Sequence, residues 1–201
     1  MANPFDYIAI ISREQASNSL YLKSFSQALR NQKQLRGILI HADNERTENL
    51  IQDGVMREQA RKRVTRETTK RLVDMFAEAG VAAVGMQGWQ LLGIENGNDV
   101  VLKIDPREKI PTRTHLVFSN QMREDGSEME IENLAVQLAR ILSIRTVVRF
   151  RQSAGEGIFV QQTDLSRKST IALDEARSHE PPVIQDWDLS EWSNAESILA
   201  S

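Results

Sequence analysis

The amino-acid sequence predicts an α/β protein with a mainly parallel sheet, and three observations carry that reading. Short apolar runs alternate with segments of helical periodicity from residue 7 to residue 150, the pattern of strands joined by crossover helices. The stretch Arg61–Gly88 contains one whole crossover: a helical face through Leu72, Met75, Phe76 and Ala79, a stop at Gly80, then the run Val81–Met86. That run is apolar between glycines, as a strand covered on both faces would be. Thr65 is the expected cap of this helix, with Glu67 in its first turn.

The remaining elements follow in order. Tyr7–Ile11 (YIAII) reads as the first strand and Ser12–Ser19 as a polar connection. Leu20–Asn31 shows a helical face through Leu22, Phe25 and Leu29, and Gly37–His41 (GILIH) reads as a second buried strand. After a polar turn at Ala42–Arg46, Glu48–Gln52 is expected as a short helix stopped at Gly54. The charged segment Met56–Lys62 is either a loop or an extension of the central helix. Past Gly88, an apolar stretch, the turn signal Glu95–Asp99 and Val100–Ile104 together suggest a hairpin. Asp105–Pro111 is a polar link and His115–Phe118 another buried strand. Ile131–Leu142 has a clear helical face, and Thr146–Phe150 is the next strand, with a shorter one at Gly157–Val160.

Composition narrows the function classes. The chain has 201 residues, 40% of them hydrophobic and 26% charged, with a net charge of -3 and no cysteine. It is long enough for one core. The slight negative charge gives no overall pull towards nucleic acid or anionic lipid. No segment has the length and apolarity of a membrane span, and the first residues carry no secretory pattern, so a cytoplasmic location is expected. Without cysteine there is no disulfide or thiol chemistry, and three scattered histidines do not suggest a metal site. The cations between Arg57 and Arg71 lack interleaved aromatics and are diluted by Glu58 and Glu67, so they read as a solvated or interface face. Asp125 with Glu128, Glu130 and Glu132 lacks the spacing of a calcium loop.

Several motifs, in order, resemble the amino acid kinase family, its acetylglutamate kinase branch most closely. Gly37–Asn44 (GILIHADN) is similar to the family strand that ends in a His-Gly-Gly-Gly turn. Arg63-Val64-Thr65 looks like its Arg-x-Thr, and Gly80–Gly85 like its Gly-Val-x-Ala-Val-Gly strand. Gly126–Leu142 is similar to the segment bearing the family's two asparagines and aspartate. The resemblance spans roughly residues 5 to 172. It implies a three-layer α/β/α sandwich, reduced in size, with a domain over residues 1–173. Residues 174–201 then form a linker and a tail bearing Trp187, Leu189 and Trp192, which either folds back over the sheet or docks on a protein partner.

Departures from the family pattern fall where its chemistry resides. The first lysine and glycine pair is replaced by Ile10-Ile11-Ser12-Arg13-Glu14-Gln15, and the triple glycine by Ala42-Asp43-Asn44. Glycines admit phosphate to backbone amides, which a Cβ obstructs. The asparagines and aspartate fall on Glu128, Glu130 and Glu132, and the Thr-Asp of the nucleotide loop on Arg151-Gln152. The resemblance therefore implies a non-catalytic homo-oligomer with no catalytic residue, no metal and no cofactor, whose ligand contacts, if any, are Arg63, Glu128, Glu130 and Glu132. One alternative is an active kinase using ATP and magnesium on an acyl or free amino acid carboxylate. Another is an adaptor acting through the Trp187/Trp192 tail.

Overall fold

Apolar side chains on both faces of a strand need cover on both sides, and the chain supplies it. The computed structural model describes residues 5–32, 34–96, 99–150 and 183–187. In chain order these form β1 (Tyr7–Ile11), α1 (Arg13–Ser17), α2 (Ser19–Asn31), β2 (Gly37–His41), α3 (Arg46–Gln52), α4 (Arg57–Glu78) and β3 (Ala83–Met86). They continue as α5 (Gly88–Leu91), β4 (Leu92–Glu95), β5 (Asp99–Leu102), α6 (Pro106–Lys109), β6 (His115–Ser119), α7 (Ile131–Leu142), β7 (Thr146–Phe150) and β8 (Val183–Trp187). Among the described residues, six strands make one sheet in the order β3-β6-β2-β1-β7-β8. Every pairing in it is parallel.

The period of two in each strand divides the core. Tyr7, Ala9 and Ile11 of β1 join Leu39, Val117 and Val148 on one face, under α1, α2 and α4 through Ala16, Leu22, Phe25, Leu72 and Phe76. Ile8 and Ile10 join Ile38, Ile40, Leu116 and Phe118 on the other, under α7 through Leu134, Ala135 and Leu138. The antiparallel β4–β5 hairpin adds Leu92 and Val100 to that second face. The result is the expected α/β/α sandwich.

Several local expectations change. The segment after β1 is not a plain connection: Ser12 caps α1 through a reciprocal pair with Gln15. The charged Met56–Lys62 segment belongs to α4, which starts at Arg57 with no side-chain cap. Thr65 therefore lies inside the helix, fully buried, and caps nothing. Gly80 does end α4, at φ +75, with Val81 N–H returning to Phe76 O. The strand that follows is shorter than expected and half-exposed, because β3 is an edge strand paired only with β6. Its small residues mimic a central strand, since apolar composition alone does not report sheet position. Val183–Trp187 extends the sheet beyond β7, where Arg149 pairs with Asp186 at 2.7 Å. Gly157–Val160, the 174–182 linker, Leu189 and Trp192 lie outside the described residues.

Gly88 fixes how closely α5 approaches the end of β6. A Cβ there would collide with the carbonyl oxygens of Ser119 and Gln121, both backbone atoms that cannot swing aside. Gly88→Ala should lower stability by about 1–3 kcal/mol, read as a lower midpoint in urea unfolding. An unchanged midpoint would mean that this approach is not tight in solution.

Candidate functional site

In open parallel α/β sheets ligands bind beyond the carboxyl ends of the strands, where the loops diverge. Here those ends belong to β1, β2 and β6, and each feeds polar residues into one region. Arg13 follows β1, Ala42-Asp43-Asn44 follows β2, and Asn120-Gln121 follows β6. The loop between β6 and α7 folds back on itself, with Gln121 and Glu128 bridged antiparallel and Asn120 Nδ2 donating to Met129 O at 2.9 Å. That return brings Glu128 to the same place.

The helix α4 closes the region with three buried threonines. Thr65 donates to Gln121 Oε1 at 2.9 Å, and Asn44 Nδ2 donates to Thr68 Oγ1 at 2.9 Å. His41 Nε2 lies 2.8 Å from Thr69 Oγ1, and its Nδ1 lies 2.8 Å from Ala42 O. Burial pushes the His41 pKa down to about 4, outweighing the Ala42 carbonyl and the Asp43 charge. The ring is thus neutral at pH 7, with Nδ1–H donating to the carbonyl and Nε2 accepting from the threonine. It is a fixed structural link and not a poised base.

The charged groups neutralise one another. Arg13 makes a two-pronged contact with Asp43, Nε–Oδ1 at 3.1 Å and Nη2–Oδ2 at 2.9 Å. Arg13 also lies 3.9 Å from Glu48, which pairs with Arg57 at 3.5 Å. Arg61 Nε stands 3.8 Å from Glu128 Oε1, an ion pair too long for a hydrogen bond. Three arginines thus face three carboxylates. Ser119 Oγ and Asn120 Oδ1 are buried nearby without a hydrogen-bond partner among the described residues. Among the described residues no three His, Asp or Glu side chains are placed to hold a metal ion.

The sequence-predicted residues separate. Glu128 enters the network just described. Glu130 caps α7, accepting from the backbone N–H groups of Glu132 and Asn133. Glu132 pairs with Arg149, which also holds Asp186. Arg63 is exposed and pairs with Glu67 one helical turn on, at 3.0 Å, while Glu67 also meets Arg46. Trp187 closes β8. Arg61, Gln121, Thr68 and Thr69 are site-forming groups that sequence reasoning missed. A threonine at every third or fourth position of a long helix was the available signal, since β-branched polar residues favour a helix interior only when something engages them.

This architecture is an amino acid kinase-like fold. Among solved structures it is similar to the aspartate kinase from Synechocystis, with a TM-score of 0.55 and 11% identity over 72% of this chain. It spans 28% of that kinase's length. It is also similar to the T. acidophilum isopentenyl phosphate kinase in its product complex, with a TM-score of 0.51 and 12% identity over 72% of this chain and 69% of that one. No protein-family model matches the chain, and no curated protein matches it in sequence.

Burial raises the Glu128 pKa, Asp43 adds to the rise, and Arg61 and Arg13 oppose it. The folded state therefore holds this proton more tightly than the unfolded chain. Stability is lost as pH climbs from about 4, the ordinary glutamate value, through the raised one. Glu128→Gln should make the protein more stable than the parent at pH 7, with the difference vanishing near pH 4 in urea titrations. A variant less stable at pH 7 would show that attraction to Arg61 outweighs the burial cost.

Proposed function

We propose that this protein is a non-catalytic member of the amino acid kinase-like fold, a homo-oligomeric binding, regulatory or structural module. The observation that carries the reading is the two-pronged Arg13–Asp43 contact. The loops after β1 and β2 are the places where the resembling kinases present glycine amides and a lysine to phosphate. Here a cation already committed to a carboxylate occupies that position, and Arg57 and Arg61 beside it are likewise paired with acids.

Removing Arg13 from Asp43 to serve a phosphate would strand a carboxylate that is 7% exposed at its side chain. Such uncompensated burial costs several kcal/mol. The described lysines do not fill the gap: Lys62 pairs with Glu124 at the rim, and Lys103 donates to Trp89 O. Association of copies is supported by the half-exposed apolar edge of β3 and by exposed Leu20 and Met56.

Purified protein mixed with ATP, magnesium and glutamate, aspartate or N-acetylglutamate should release no ADP above background. Its thermal midpoint should not move with millimolar ATP, since a ligand bound only by the folded state would raise it. Turnover, or an ATP-dependent rise in midpoint, would overturn the non-catalytic reading. A single monomeric species in sedimentation velocity would overturn the oligomer.

A further inference from the structure

The opposite end of the sheet carries charge of a different kind. Where β3 and β6 begin, a cavity of about 160 Å³ opens among the end of α2, the Gly80 turn and the residues before β6. Arg30 and Arg113 both line it. Neither makes an ion pair or a hydrogen bond among the described residues, in contrast to the arginines at the carboxyl ends of the strands. Among the described residues no carboxylate lines the cavity.

The walls are mixed: Leu29, Leu35, Val81 and Ala82 supply apolar surface beside the polar side chain of Gln32. His115 completes the lining: burial, with help from the Arg36 charge, holds its pKa down to about 4. Its Nδ1 accepts from Gly37 N–H, so the neutral ring keeps its proton on Nε2. Arg113 adopts φ +64, a left-handed backbone that glycine or asparagine adopts more readily than arginine. The turn holds an arginine there against that preference.

We propose that this cavity binds a short aliphatic carboxylate, its charged end on Arg30 and Arg113 and its chain against Leu29, Leu35 and Val81. An arginine fork matches a planar carboxylate. Two unopposed guanidiniums set the sign of the ligand. Leu29, Leu35 and Val81 set its body, which is a short chain because the cavity is small. This site is independent of the reading given for the other end of the sheet, and it stands whether or not that end is catalytic.

Pentanoate titrated into the full chain, followed through backbone amide chemical shifts, tests the site. Saturable shifts are expected at Leu29, Gly80 and Val81. The double variant Arg30→Gln, Arg113→Gln should weaken binding at least tenfold. Acetate, which carries the charge without the chain, should bind at least tenfold more weakly than pentanoate. Lys23→Gln, which removes an exposed charge from the same helix, should change nothing. Shifts that fail to saturate, binding that survives the double variant, or inorganic phosphate binding as tightly as pentanoate would each overturn the proposal. The substituted residues are exposed charges, and thermal midpoints matching the parent confirm that folding is intact.

Discussion

The docking of α4 onto the ends of β2 and β6 through Thr65, Thr68 and Thr69 is the constraint on which the rest depends. This helix runs for 22 residues, and most of its sequence is charged or polar. Its apolar contribution comes late, from Leu72 and Phe76, while Ala60 and Val64 add little area. The first half is held instead by hydrogen bonds to Gln121, Asn44 and His41. A buried polar group costs several kcal/mol without a partner and contributes only about 1 kcal/mol with one. These contacts therefore tolerate few alternative arrangements, and the helix sits in one register over the sheet.

That register decides what the carboxyl ends of the strands can do. A side chain accepted from α4 by each strand end leaves that end occupied by the protein itself. The same placement carries Arg57 and Arg61 to Glu48 and Glu128, completing the alternation begun by Arg13 and Asp43. Internal pairing of this sort contributes little net stability when partly exposed. Its consequence is electrostatic: a region that would attract anions through unopposed cations is close to neutral.

The fold was legible in the sequence because its cues are local. Five-residue apolar runs for β1, β2, β6 and β7 and the face of α7 through Leu134, Ala135 and Leu138 need no knowledge of the partner element. The site was less legible because its groups come from four separated segments. Arg61 and Glu128 are 67 positions apart by number, and nothing in either neighbourhood announces the other. Thr65 shows the failure in miniature. A threonine followed by an acid is a fair helix start by local rules, yet here the residue that engages it is Gln121, and the helix had already begun two turns earlier without a cap. The edge position of β3 was hidden for the same reason, since exposure of a strand depends on its neighbours and not on its composition.

The two ends of the sheet thus treat arginine in opposite ways. At the carboxyl ends every arginine near the axis meets an acid. At the amino ends Arg36 is engaged by carbonyls, donating to Thr114 O and Ile110 O while its plane lies over Phe5. Carbonyl oxygens satisfy its hydrogen atoms without cancelling its charge, while burial disfavours that charge and nearby Asp6 supports it. Arg30 and Arg113 add two more cations on the same side. The contrast is made by side chains: acids answer Arg13, Arg57 and Arg61 at the carboxyl ends, while at the amino ends Arg30 and Arg113 meet none among the described residues.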